Sequence, residues 1–168
     1  MEFYEVLRRR RSVRSYTSEP VAEKVLERLA EAIRLAPSAC NNQPIRFLFL
    51  SEPEARRRLC ACYPRAWLAQ APVIVVALGN RETAWKRFNG TSAHVIDATI
   101  AMEHLVLAAA AEGLGTCWIC AFDQEAARQA LRVPDCWEVV ALSPLGHAAG
   151  EAAPQTRKPI DEIIERLA

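Results

Sequence analysis

Three sets of residues in this chain have the types and spacing to do chemistry. The first is Pro37-Ser38-Ala39-Cys40-Asn41-Asn42-Gln43-Pro44, between an apolar-periodic segment ending at Leu35-Ala36 and the hydrophobic run Phe47-Leu48-Phe49-Leu50. Proline at each end biases the residue before it away from helix, which predicts an ordered, extended loop. The hydroxyl and amides of Ser38, Asn41, Asn42 and Gln43 suit a polar, hydrogen-bonding ligand more than a metal. Taken alone, the stretch is a polar turn between two prolines.

The second set is basic: Arg8-Arg9-Arg10-Arg11, then Arg14, and far downstream Arg157-Lys158. Cations at a helix end complement the macrodipole, but Arg14, beyond Ser12, carries the basic surface into the following turn. The third is Cys117-x-x-Cys120, a spacing shared by redox pairs and zinc half-sites. Zinc needs two further ligands, yet Cys60-x-Cys62 has the wrong interval, the histidines are scattered, and His104 has no partner at metal spacing. In an apparent strand, cysteines three apart point to opposite faces, so both read as packing residues and no metal site is expected.

These groups need elements to hold them. Phe3, Val6 and Leu7 have helical spacing; Ser18-Glu19-Pro20 opens a second, amphipathic helix ending before Pro37. Arg46 to Leu50 reads as a strand, and Ser51 to Glu54 as a capping box opening a short helix. Pro72 to Gly79 is a β-branched run, expected to be buried on both faces. Asn80 to Ser92 is a polar loop or weak helix with two aromatics, Trp85 and Phe88. His94 to Glu112 is the dominant helix, apolar nearly all round, which a second copy of the chain would most easily enclose. Gly113 ends it. Thr116 to Phe122 reads as a strand, Asp123 as the N-cap of a helix over Glu125 to Leu131, and Val139 to Leu142 as the last strand. Gly150 to Thr156 is linker-like, and Ile160, Ile163, Ile164 and Leu167 form a final helical face. Widely spaced strands among helices predict an α/β or α+β sandwich around one sheet, in a single domain spanning 1–168.

Lys and Arg total 21 against 20 Asp and Glu, so no global field draws nucleic acid or an anionic membrane, and neither partner is expected. The N-terminus lacks signal-peptide character, and the longest nearly uncharged segments, Leu68 to Asn80 and Leu105 to Ala111, fall short of a membrane span. The expected compartment is the cytoplasm, with the six cysteines mostly reduced, buried thiols.

Four motifs, each at an element boundary, give the chain a resemblance to the nitroreductase family in its small single-domain form. They are Arg10-Arg11-Ser12-Val13-Arg14-Ser15-Tyr16, Ala36-Pro37-Ser38-Ala39-x-Asn41-x-Gln43-Pro44, Gly113-Leu114-Gly115-Thr116-x-Trp118, and Pro144-x-Gly146 followed by Arg157-Lys158-Pro159. The likeness covers nearly the whole chain. It implies an α+β sandwich, a mostly antiparallel central sheet flanked by helices, in a homodimer with FMN between the chains. It further implies an NAD(P)H-dependent flavin oxidoreductase: hydride passes from NAD(P)H to flavin N5, and the electrons then pass to a nitroaromatic, quinone or similar small acceptor. No protein acid or base is required for the hydride step, so no catalytic side chain is assigned.

By the same resemblance Arg10, Arg11 and Arg157, with Lys158 beside them, face the FMN phosphate, which guanidinium forks suit. Ser12 lies beside the ribityl end and Arg14 near the pyrimidine side. Pro37, Ser38, Ala39, Asn41 and Gln43 surround the ring edge and ribityl hydroxyls, and the backbone of Cys120 and Ala121 lies near N5. Trp85 and Phe88 are the candidates for stacking a flat acceptor. Three departures stand out: Ile45 where the family often has Trp, Gln155 where many relatives carry a second basic residue, and a chain that ends at Ala168 where many relatives add an arm. Two other readings share parts of this pattern: a specialised flavin enzyme of dehalogenase or flavin-cleaving type, and a thiol-redox or zinc module built on Cys117 and Cys120.

Overall fold

The computed structural model describes residues 2–167. Its centre is a four-stranded sheet of β1 (Ile45–Leu50), β2 (Val73–Asn80), β3 (Gly115–Thr116) and β4 (Trp137–Gly146), antiparallel throughout, in spatial order β1-β2-β4-β3. Every residue of β2 is buried. Because strand side chains alternate, Val73, Val75 and Ala77 serve one face while Ile74, Val76 and Leu78 serve the other. Two cores result. On one face α2 (Glu23–Arg34) and α4 (His94–Ala111) bury Leu29, Ile33, Met102 and Leu105; on the other α3 (Pro53–Cys60) and α5 (Gln124–Leu131) bury Leu59 and Ala127. A short α1 (Phe3–Arg9) packs against α4 through its one buried residue, Val6.

The expected sandwich is present, with its boundaries corrected. The second helix begins at Glu23 rather than near Ser18, because Tyr16 and Thr17 are drawn out along the chain after β4, Thr17 N donating to His147 O at 2.9 Å. Glu52, not Ser51, caps α3, its carboxylate accepting from Glu54 N and Ala55 N. The strand expected over Thr116 to Phe122 leaves the ladder after Thr116. The next pair in register would be Cys117 with Pro144, which has no amide hydrogen. The Cys117 N–H donates instead to Ser143 Oγ at 3.3 Å, and a single bridge resumes at Ile119 with Leu142.

At the C-terminus the expected helix is one 3-10 turn, Ile160–Glu162, with Ile160, Ile163, Ile164 and Leu167 all exposed. A helix this short depends on a surface to pack against, and within one chain the apolar face has none. The 18-residue α4 is longer and more apolar than the uncharged runs indicate, enough by length and composition to cross a membrane. Here it lies along the sheet with Ala98, Ala101, Met102, Leu105 and Ala109 in the core.

Candidate functional site

The basic segment is extended chain pinned to the sheet. Ser12 bridges Thr116, Val13 N donates to Thr116 O at 2.8 Å, and Tyr16 bridges Ala148. The buried Tyr16 hydroxyl donates to Val13 O at 2.7 Å; burial pushes its pKa up, so it stays a neutral donor. Gly115 is what lets the segment lie this close, since a Cβ there would sit 2.8 Å from Val13 Cγ2 and 2.9 Å from Val13 Cβ. Beside this contact lies a pocket of about 310 Å³ walled by Arg10, Arg11, Gly113, Gly115 and Ala152. A second pocket of about 250 Å³, lined by Ser12, Arg14, Ser15 and Glu151, adjoins it.

Of the arginines here, Arg9, which lines the first pocket too, pairs with Glu5, and the others are not spent on carboxylates. Among the described residues Arg10, Arg11, Arg14 and Arg157 form no ion pair, whereas Arg9, Arg28, Arg34 and Arg128 all do. One of the first four reaches the main-chain carbonyl of Arg10, and another is tied to it through Gln155. Arg11 Nη1 donates to Arg10 O at 2.9 Å, Gln155 Nε2 donates to the same oxygen, and Arg157 Nη2 donates to Gln155 Oε1. Lys158 stays exposed and pairs locally with Glu162 at 3.4 Å. Arg10 also reaches the neighbourhood of Glu103 on α4, whose carboxyl burial pushes up and Arg10 draws down. Positive charge without an internal partner, beside a glycine-walled pocket, suits a dianionic phosphate.

The loop from Pro37 to Pro44 has backbone geometry that its sequence hides. Cys40, Asn41 and Gln43 have φ of 52°, 54° and 50°, the left-handed region that non-glycine residues avoid. What holds them is hydrogen bonding: Gln43 N donates to Ser38 Oγ at 2.9 Å, Ile45 N to Gln43 O at 2.8 Å, and Ala39 N to Asp97 Oδ1 at 3.0 Å. Asp97, one turn into α4, is only 2% exposed, and its Oδ2 has no partner. The side chains of Asn41 and Gln43 are left exposed, as is Pro37, with Ser38 and Ala39 half-buried. This arrangement spends the backbone groups internally and presents amides outward.

The segment before α4 meets this loop. Asn42 Nδ2 donates to Thr83 O at 3.2 Å and Asn80 N to Pro44 O at 2.8 Å, so Trp85 and Phe88 ride on a hairpin attached to the polar loop. Phe88, at the tip, is fully exposed, and Trp85 is 38% exposed. The base of the hairpin is locked by His94, whose Nε2 lies 3.1 Å from Glu138 Oε2 and whose Nδ1 lies 2.9 Å from Ser92 Oγ. Arg81 donates to the same Glu138 oxygen at 2.6 Å. Burial pushes the Glu138 carboxyl up, but hydrogen bonds from His94 and Arg81 outweigh it and hold the group below the usual carboxylate range.

The structure therefore assembles two clusters. The arginine group lies against Ala110 and Gly113 at the C-terminal end of α4, while the polar loop is tied to Asp97 near its start. Thirteen residues of helix separate Asp97 from Ala110, about 20 Å along the axis. Cys120 and Ala121 lie exposed just beyond the Ile119 bridge.

Residues 7–62 and 60–147 match the nitroreductase family. The chain belongs to that family. A nitroreductase family protein of Clostridium novyi NT is 33% identical and superposes with a TM-score of 0.82 over 88% of this chain and 86% of that one. The "NADH dehydrogenase" of Thermus thermophilus is 29% identical across 93% of this chain and 91% of its own. The "FMN reductase [NAD(P)H]" of Bacillus subtilis is 28% identical across 91% of this chain and 68% of its own.

In this member of the nitroreductase family the cysteines are less buried than expected. Only Cys62 and Cys117 are buried; Cys60 and Cys136 are half-buried, Cys40 and Cys120 exposed, and all six are free. The reason is position: Cys40 occupies the loop and Cys120 follows the end of the ladder. Cys117 is buried and Cys120 exposed, and the stretch between them is not the ladder strand on which the expectation of opposite faces rested. Burial pushes the Cys117 thiol up despite the nearby Arg14 and Ser12, while Cys120 Sγ accepts from Trp118 Nε1 at 3.1 Å. Sequence reading missed Asp97 and Asn42 as supports and Gln155 as a link. Asp97 carried a signal, a carboxylate in the first turn of an otherwise apolar buried helix; Gln155 stood out only as an uncharged side chain where the resemblance leads one to expect a basic one.

Proposed function

We infer that the protein is an FMN-dependent NAD(P)H oxidoreductase that works by a two-step exchange, with a nitroaromatic, quinone or similar flat molecule as final acceptor. The observation that carries this is the cluster of guanidinium groups without carboxylate partners beside the Gly113–Gly115 wall, a fit for a flavin phosphate, in a family whose relatives include an FMN reductase. Bound FMN would supply the hydride-accepting ring. The chain's own part is binding and placement: Arg10, Arg11 and Arg157 hold the phosphate, Ser12 and Arg14 flank the chain and ring, and Ser38, Asn41 and Gln43 offer hydrogen bonds to polar edges. Cys120 and Ala121 contribute backbone near the reacting side, and Trp85 and Phe88 cover the acceptor.

The working unit on this reading is a homodimer. One chain holds its two clusters at opposite ends of α4, so a neighbouring copy supplying its loop to this chain's arginines would complete each site. Apolar surface is available for such pairing: Val95 and Ile96 on α4, Phe3 and Leu7 on α1, and the C-terminal isoleucines are exposed. Free thiols and a nicotinamide donor both suit the cytoplasm, the proposed compartment. The decisive experiment is purification of the full chain and anaerobic titration with NADH and NADPH. A yellow protein whose flavin absorbance bleaches on titration and returns with a quinone is expected. Colourless protein that reconstitution with excess FMN leaves colourless refutes the reading. The thiol alternative is tested alongside: Arg10→Ala should lower FMN affinity by about 10- to 100-fold, and Cys117→Ser with Cys120→Ser should not.

A further inference from the structure

The geometry points to Gln155 as the positioning residue of the phosphate cradle: its amide fastens the C-terminal segment to the arginine strand and aims Arg157, giving the site its preference for a phosphorylated flavin. This rests on the flavin reading above and adds a residue to it.

After Ala149, whose N–H donates to Ser15 O at 3.0 Å, the chain leaves the sheet. Among the described residues from 150 to 167, every other hydrogen bond and ion pair is local: Glu162, Ile163 and Ile164 to Pro159 or Ile160, Lys158 to Glu162, and Arg157 to Thr156 or Gln155. The single polar link back to the body is Gln155 Nε2 to Arg10 O, spanning 145 positions of sequence. Apolar help is slight, a partly buried Ala152 against Val13 and Tyr16.

An amide is the side chain this position calls for. Arg10 is the C-cap of α1, its N–H donating to Val6 O, and its own carbonyl takes a donor from the C-terminal segment beside the one from Arg11; Arg157 needs an acceptor to fix its fork. Gln155 supplies both at once, which neither a basic nor an acidic side chain can do. Arg11 donates to the same carbonyl, so one peptide oxygen sets the relative places of Arg11, Gln155 and Arg157. With Nη2 held by Gln155 and Nη1 by Thr156 O at 2.7 Å, the guanidinium of Arg157 is oriented before any ligand arrives. A fork oriented in advance loses less entropy per bond formed to phosphate.

The test titrates the flavin-stripped full chain with FMN and with riboflavin, by quenching of flavin fluorescence. Wild type should bind FMN more tightly than riboflavin. Gln155→Ala should weaken FMN binding about tenfold and leave riboflavin binding unchanged. In an Arg157→Ala background the same change should cost nothing further, because Gln155 acts through Arg157. Gln155→Glu should also lose FMN affinity, its carboxylate pairing with Arg157 while repelling phosphate. Equal losses for FMN and riboflavin, or additive losses with Arg157→Ala, would overturn the assignment. Wild type that binds neither flavin would sink the flavin reading itself, and binding of both alike would remove the phosphate cradle.

Discussion

Gly115→Ala replaces one hydrogen with a methyl group at a crowded contact of the site. The new Cβ would lie 2.8, 2.9 and 3.0 Å from Val13 Cγ2, Cβ and Cγ1. Carbon atoms rest about 3.5–4.0 Å apart, so the gap must open by roughly 0.7 Å or more. Rotation about χ1 of Val13 cannot provide this, because Val13 Cβ is itself too near and does not move on rotation. The backbone of the basic segment has to lift from β3, stretching the 2.8 Å bond from Val13 N to Thr116 O. Overpacking of this kind costs about 1–3 kcal/mol, which for a chain of this size lowers Tm by roughly 2–12 °C. Since Arg10 and Arg11 wall the same pocket, FMN affinity should fall as well. Differential scanning fluorimetry and FMN titration of Gly115→Ala read both effects. Val13→Ala in the same background removes two of the three clashing atoms and should restore part of the loss. A Gly115→Ala protein with wild-type Tm and wild-type FMN affinity would refute the argument, as would simple additivity with Val13→Ala.

Three further outcomes follow from the supports of the two clusters. Asp97→Ala strands the Ala39 amide and should lower stability by about 1–3 kcal/mol, whereas Asp97→Asn keeps an acceptor for it and should cost less; urea midpoints rank the two. Glu138 is held below its ordinary pKa, so its contribution to stability is present above the unfolded value and lost as pH falls through the folded one. Stability of wild type should therefore decline as pH falls through and below the ordinary glutamate range, and Glu138→Gln, less stable at neutral pH, should show a shallower acid limb; parallel curves would count against the His94–Glu138–Arg81 lock. Phe88→Ala should leave FMN bound while changing the ratio of kcat/KM between a quinone and a nitroaromatic by about 2- to 12-fold, and an unchanged ratio removes Phe88 from the acceptor side.

Much of this protein is determined by its sequence read alone. The β-branched run at 73 to 80, the helix from His94 and the α-helix over 124 to 131 are governed by local pattern, because side-chain period and capping groups act within a few residues. The polar loop and the arginine segment were legible for the same reason, as clusters of functional groups between recognisable elements. Tertiary structure decided the rest. Whether Thr116 to Phe122 remained in the ladder depended on Pro144 and Ser143 across the sheet, and whether 160 to 167 became a helix depended on a surface to cover its apolar face. The left-handed loop stands because Asp97, fifty-eight positions away from Ala39, accepts its amide, and the segment carrying Arg157 is tied back to the carbonyl of Arg10 through Gln155. Contacts between distant residues leave no periodic trace in sequence, since either partner alone is only another polar side chain.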